Sequence, residues 1–213
     1  MEAHKNSLLP RFLGLIELEL HTEGRPKYNL VVMTNFFAGT LAIHRRFDLK
    51  GSTCNRSASA HEKSKGDKAI LKDSDWCDHG HKIRLSTKPA CDEFVEALHN
   101  DSAFLCAHDL LDYSLLIGLH FKDRAKEEGE ETREREEYMH VRRIDDDRGS
   151  MYVGIVDILQ PYNAQKVCET FCCGTLCCGR DISSQAPRFY ARRFRSFLES
   201  HTEPIEGPSH VTM

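Results

Sequence analysis

The chain has 213 residues, 40% of them hydrophobic, and 33 acidic side chains stand against 29 basic ones for a net charge of −4. That suffices for one domain with a real core, or for part of a larger one. The charge excludes a global pull toward nucleic acid or an anionic membrane, and no apolar run has the length of a bilayer span or the character of a signal peptide.

Leu13 to Leu20 predicts a strand, with Ile16, Leu18 and Leu20 alternating against Glu17 and Glu19. Gly24 and Pro26 mark a turn. Tyr28 to Met33 and Leu41 to Phe47 predict two more strands, joined by Thr34-Asn35-Phe36-Phe37-Ala38-Gly39-Thr40. Ser57 to Lys68 is polar and reads as a loop or a short exposed helix. Pro89 opens a helix that carries Phe94, Ala97, Leu98, Phe104 and Leu105 at helical spacing and ends before Asp109. Tyr113 to His120 and Met151 to Leu159 are apolar runs of strand length, expected to pair as a hairpin. Between them, Lys122 to Arg148 holds eight basic and eleven acidic residues. Residues 122–150 therefore read as a solvated insert, disordered or a loose charged helix. Pro187 opens a last helix with Tyr190, Phe194, Phe197 and Leu198 on one face and arginines on the other, and residues 202–213 read as a disordered tail.

Without a signal peptide the chain reads as intracellular, and its nine cysteines read as free thiols rather than a disulfide framework. Five of them are crowded together: Cys168, Cys172, Cys173, Cys177 and Cys178. Zinc binding, S-acylation in a membrane-facing loop and plain thiols are three readings of that cluster, and adjacent pairs suit a tetrahedral zinc site poorly.

Three stretches set a carboxylate among apolar residues. They are Arg45-Arg46-Phe47-Asp48-Leu49-Lys50-Gly51-Ser52-Thr53, Leu110-Leu111-Asp112-Tyr113-Ser114-Leu115-Leu116-Ile117-Gly118 and Tyr152-Val153-Gly154-Ile155-Val156-Asp157-Ile158-Leu159-Gln160. A charge beside so much apolar surface is costly unless it is paired or used. Taken singly, each aspartate also suits a turn that closes a strand. Phosphoryl transfer needs such parts: a carboxylate to orient the attacking hydroxyl, another to hold Mg²⁺, and cations over the phosphates.

In their order and rough spacing these stretches resemble the phosphatidylinositol phosphate kinases, and specifically the phosphatidylinositol 4-phosphate 5-kinase-like catalytic core. Flanking pieces agree: Asn6-Ser7-Leu8-Leu9-Pro10-Arg11-Phe12-Leu13-Gly14, Leu71-Lys72-Asp73 and Tyr190-Ala191-Arg192-Arg193-Phe194. The resemblance runs from about Asn6 to His201 and implies a partial kinase core over residues 6–201. It implies an α+β, two-lobed lipid-kinase-like fold, here mostly the larger lobe with the last strands of the smaller one. It implies ATP-dependent phosphorylation of an inositol ring hydroxyl, giving phosphatidylinositol 4,5-bisphosphate, with ATP and Mg²⁺ as cofactors. By the same resemblance Asp112 orients the inositol hydroxyl and Asp157 holds the metal. Lys50 serves catalysis and, with Arg56 and Lys166, meets the phosphates of the substrate. Asn35, Phe36 and Phe37 receive the adenine, although a pair of phenylalanines is as readily core. The implied partners are ATP and a phosphatidylinositol phosphate in an anionic membrane, with no nucleic acid and with a homodimer open as an assembly. The implied place is the cytoplasm, peripheral at the cytoplasmic face of membranes.

Two departures bear on this. The family's glycine-rich phosphate cover and ATP-contacting strand lysine belong upstream of Leu8-Leu9-Pro10, where this chain has seven residues before Leu8. The chain is therefore expected to be the core from the end of its lobe-bridging helix onward: a fragment, a partnered chain or a non-catalytic relative. After Asp157 the family's usual lysine pair is broken, since Lys166 is followed by Val167. A non-catalytic, phosphoinositide-binding or pseudokinase-like role is the alternative, and an unrelated α+β domain a distant third.

Overall fold

The computed structural model describes residues 6–22, 24–37, 41–124, 142–162 and 186–205. The fold is mixed α/β, with three sheets and few helices among the described residues. Strands β1 (Phe12–Glu19) and β2 (Lys27–Met33) form an antiparallel pair by themselves. The main sheet has five strands in the order β4-β3-β6-β8-β7. These are β3 (Arg45–Leu49), β4 (Ile70–Leu71), β6 (Ser114–Phe121), β7 (Arg142–Asp145) and β8 (Gly149–Val156). A short parallel pair joins β5 (Ile83–Leu85) to β9 (Thr202–Pro204). The helices are α1 (Ala60–Lys63), α2 (Asp73–Asp78), α3 (Lys88–Ala107) and α4 (Pro187–Ser200).

Strand β6 alternates sharply, and that alternation builds the core. Leu115, Ile117 and Leu119 point to one face, where with Val153 and Ile155 of β8 they join Phe94, Leu98 and Leu105 of α3. Leu116, Gly118 and His120 point to the other. Two glycines open that second face. A Cβ on Gly154 would stand 2.4 Å from the Phe36 ring, and one on Gly118 would stand 2.6 Å from the Phe37 ring. The Phe36-Phe37 segment lies directly on the bare backbone of β6 and β8.

Helix α3 begins where the sequence places it. Thr87 caps it, accepting from Ala90 N–H at 3.3 Å. It ends in a Schellman turn: Asp109 N–H donates to the Cys106 carbonyl at 3.1 Å and Leu110 N–H to the Leu105 carbonyl at 2.9 Å. Asp109 takes the left-handed position, at φ 53°, that glycine usually holds.

Several boundaries differ from the sequence reading. The third strand starts at Arg45 and not at Leu41. The strand expected to run to Leu159 stops at Val156. The charged insert is not solvated throughout, since residues 142–145 form an edge strand on β8 and Ile144 is buried in the core. One aliphatic residue among arginines and aspartates carries little hydrophobic signal, yet it suffices where a strand edge is waiting. The tail also begins later: Thr202 to Pro204 pairs with β5, and Ile205 N–H donates to the Leu85 carbonyl at 2.7 Å.

Candidate active site

Sheet register brings the three acidic stretches to one end of the molecule. Leu49 pairs with Leu115, and Ser114 with Val156. Lys50, Asp112 and Asp157 therefore all lie just past the same ends of β3, β6 and β8. The segments carrying the aspartates are joined by their backbones. Leu111 N–H donates to the Gln160 carbonyl at 3.1 Å, and Tyr162 N–H to the Asp109 carbonyl at 2.8 Å.

Both aspartates are left-handed, Asp112 at φ 64° and Asp157 at φ 60°. Aspartate tolerates this conformation better than most side chains, because its short carboxylate can meet nearby backbone. Two such residues at one sheet end is where stored backbone strain commonly marks function. Asp112 is half-buried and Asp157 exposed. Among the described residues no group of three or more His, Cys, Asp and Glu side chains is placed to hold a metal. For Mg²⁺, which keeps several waters and takes one or two carboxylates along with substrate phosphates, Asp157 is the residue that the resemblance would assign.

Lys50 is set from three sides. Its ammonium donates to the Asp112 carbonyl. Its backbone N–H and that of Gly51 donate to one oxygen of Asp73 at 2.9 and 2.8 Å. The other oxygen of Asp73 takes Arg56 Nε–H at 2.8 Å, and Arg56 Nη2 reaches the Asp48 carboxylate and carbonyl, both at 2.6 Å. Arg56 was expected beside the phosphates. Its bonds instead clamp the two ends of the Asp48–Gly51 turn together. Burial pushes the Asp73 carboxyl up against the pull of Arg56, while the two carboxylates hold the Arg56 guanidinium above its ordinary range against the cost of its own burial.

Gly51, at φ 74°, is held bare by a neighbouring helix. A Cβ there would lie 2.7 Å from the Phe194 Cα of helix α4. That helix packs its aromatic face under the Asp112 loop. Tyr113 meets Tyr190 at 4.8 Å and Phe194 at 5.0 Å between ring centroids, edge to face, and the Tyr190 hydroxyl donates to the Tyr113 carbonyl. Burial raises both phenols.

At the proposed adenine segment, Asn35 is exposed and its side-chain oxygen accepts from Phe37 N–H at 3.0 Å, closing a turn. Phe36 is buried and Phe37 half-buried, and both rings lie on the sheet glycines. Lys166 and the cysteines from Cys168 to Cys178 lie outside the described residues. Sequence reasoning missed the positioning role of Asp73. The only signal available was its place in Leu71-Lys72-Asp73, directly ahead of an apolar Trp76.

The family model described as Phosphatidylinositol-4-phosphate 5-Kinase matches residues 1–147 and 125–201. The chain belongs to this family. It is similar to a phosphatidylinositol 5-phosphate 4-kinase type-2 beta of Rattus norvegicus, 31% identical over 250 aligned positions that cover 94% of this chain and 58% of the relative. It is likewise similar to a type-2 alpha enzyme of Homo sapiens, 31% identical with 93% of this chain and 58% of the relative covered. A type-2 alpha enzyme of Gallus gallus is 40% identical over 63% of this chain and 32% of its own length. The chain thus spans 58% of the length of the rat and human relatives.

Proposed function

We propose that this chain carries the hydroxyl-orienting and metal-holding half of a lipid kinase site, which transfers the ATP γ-phosphate to an inositol ring hydroxyl of a phosphatidylinositol phosphate. The observation that carries the reading is the convergence of Lys50, Asp112 and Asp157 at one sheet end, two of them in left-handed backbone. Asp112 accepts the proton of the attacking hydroxyl, Asp157 would hold Mg²⁺, and Lys50 fixes the Asp112 loop through its carbonyl. Bound Mg²⁺ would neutralise charge on the transferred phosphoryl group.

The relatives are named as 4-kinases of phosphatidylinositol 5-phosphate. We extend that to this chain: the ring position is the 4-hydroxyl, and the product is then the 4,5-bisphosphate. The β1–β2 pair is read as the last part of a small lobe, and the working place as the cytoplasmic face of a membrane, with the protein peripheral. A second reading is a non-catalytic phosphoinositide binder.

The test extends the chain by a glycine-rich phosphate cover and a lysine-bearing strand, the half of the site it does not carry, and offers it radiolabelled ATP, Mg²⁺ and vesicles holding phosphatidylinositol 5-phosphate or phosphatidylinositol 4-phosphate. Label should appear on the 5-phosphate vesicles. Asp112→Asn and Asp157→Asn should each remove it, the first by roughly 10²–10⁴-fold from proton handling alone. Asparagine tolerates the same left-handed backbone, so both variants should stay folded. Binding to those vesicles without transfer by the wild type selects the second reading, and wild-type rates in either variant sink the role assignment.

A further inference from the structure

Three side chains close a ring around the Asp112 loop. The Lys50 ammonium donates to the Asp112 carbonyl, and the Tyr190 hydroxyl donates to the next carbonyl along, that of Tyr113. Arg193 Nη2 donates to the Lys50 carbonyl at 3.4 Å, and the Arg193 guanidinium stands 5.0 Å from the centre of the Tyr190 ring. The links run from Asp112 to Lys50, on to Arg193 and Tyr190, and back to the residue after Asp112.

Tyr190 and Arg193 lie about one turn apart on α4 and share a face. Tyr190 has no exposed surface, so its hydroxyl needs a partner inside the protein. The neighbouring Tyr113 is as deeply buried, yet its own hydroxyl has no hydrogen-bond partner among the described residues. Filling that space asks only for a ring, which phenylalanine would supply. The Tyr190 hydroxyl goes further and fixes backbone beside Asp112. Lys50 is fixed just as fully. Its N–H meets Asp73 of α2 at 2.9 Å, its carbonyl meets α4, and its ammonium meets the Asp112 loop.

Asp112 stands at φ 64°, a conformation that a residue other than glycine keeps where its surroundings over-determine it. The direction of its carboxylate follows from that backbone. A group that takes a proton in the reaction must be held within about 0.5 Å of the productive position.

We propose that Tyr190 and Arg193 are positioning residues for Asp112. Tyr190 holds the peptide that follows the aspartate, Arg193 holds Lys50, and Lys50 holds the aspartate's own carbonyl. Helix α4 thereby sets the aim of a carboxylate that lies far from it in sequence. The proposal rests on the reading of Asp112 as the group that takes the hydroxyl proton.

The first experiment is amide hydrogen exchange of the full chain at residues 112–114. Tyr190→Phe keeps the ring and removes the hydroxyl, and Lys50→Met keeps the length and removes the ammonium. Each should raise exchange there about tenfold, the scale of one lost hydrogen bond. Once a ring is cut, a second cut adds little, so the double variant should also stand at about tenfold and not at about a hundredfold. Arg193→Gln should give a rise of the same kind, although Arg193 bonds neither loop carbonyl. Leu198→Val, on the buried face about two turns further along α4, thins the core without cutting the ring and should leave this exchange unchanged. Urea unfolding checks that each variant is folded. The second experiment uses the chain extended as in the transfer test. There Tyr190→Phe should lower kcat by roughly ten- to a hundredfold at unchanged KM for ATP and lipid, and Leu198→Val should change neither.

Unchanged exchange in Tyr190→Phe would overturn the proposal. So would a double variant at roughly a hundredfold, which would make the two bonds independent anchors. An equal rise in Leu198→Val would mean general loosening of α4. A raised KM at unchanged kcat would place α4 in substrate binding and not in the aim of Asp112. Absence of transfer by the extended wild type counts against the kinase reading alone, and the ring is then judged on exchange.

Discussion

With no exposed surface, Asp73 accepts from two backbone N–H groups and from Arg56, and through them fixes the turn that presents Lys50. Asp73→Asn would leave Arg56 half-paired in the interior, and removing one partner of a buried pair costs about 3 kcal/mol. Urea unfolding should show that loss, and an unchanged midpoint would refute the clamp. Two other residues set the acid response. Desolvation holds His81 neutral, with its proton affinity lowered to about 4, and its Nε2 is buried with no partner among the described residues. The unfolded histidine titrates near 6.5, so the unfolded chain takes up a proton that the folded one refuses. Stability should be full above about pH 6.5 and fall by about 3 kcal/mol on the way down to pH 4. Burial alone would raise Asp75, but Lys63, Ser57 and the N–H groups of Ala58 and Lys72 overcome it and hold the carboxyl at about 2. Its contribution is present above about pH 4 and is lost as pH falls to 2, about 2 kcal/mol in all. Urea midpoints across pH would separate the two windows: His81→Gln should flatten the upper one alone, and Asp75→Asn the lower one alone.

Helix α4 and strand β3 come so close that only a glycine fits between them. Gly51→Ala meets both a positive φ and the Phe194 backbone at 2.7 Å. Backbone cannot swing aside like a side chain, so the turn or the helix must shift. The expected cost is about 2 kcal/mol. Because Tyr190 and Phe194 support Tyr113, that shift should reach the Asp112 loop. Amide hydrogen exchange should rise at residues 110–114 in the variant, and unchanged exchange there would show that α4 does not support the loop. The N-terminal stretch is held in a comparable way. Leu8 N–H donates to the buried Asp101 carboxylate at 2.6 Å, and the Leu8 carbonyl accepts Ile155 N–H at 2.7 Å. A segment with no secondary structure of its own is thus tied to both α3 and β8.

The molecule as a whole is unevenly covered. The main sheet buries one face against α3, while the β1–β2 pair exposes Leu13, Leu15 and Ile16 on one strand and Tyr28, Leu30 and Val32 on the other. One face, with Ile16, Leu18, Tyr28, Leu30 and Val32, is apolar, the other sets Leu13, Leu15 and Val31 beside Glu17, Glu19 and Lys27, and an exposed apolar pair with open edges invites association. The chain should therefore self-associate with rising concentration in sedimentation velocity. Leu15 and Val31 are cross-strand partners, so Leu15→Lys with Val31→Glu places an opposite-charge pair on one face. Self-association should fall in that variant, and an unchanged profile would place the sticking surface elsewhere.

Local pattern was enough for much of this chain. The alternation of Leu13–Leu20, the Pro89 start of α3 and the amphipathic α4 are written in neighbouring residues, because period and capping are short-range properties. The ordered motifs around Lys50, Asp112 and Asp157 were also enough to point to the family. What the sequence could not settle was decided across long separations. Arg56 looked like a phosphate contact, but Asp48 and Asp73 occupy it. Gly51 faces a helix more than a hundred residues later, which fills the space a side chain would need. Phe36 and Phe37 read evenly as site or core, and the glycines they lie on, Gly118 and Gly154, are far along the chain. In each case the residue type fixed what it could bond or tolerate. Only the packing of β3, β6, β8 and α4 into one end of a sheet chose the partner, since burial and pairing are properties of neighbours in space.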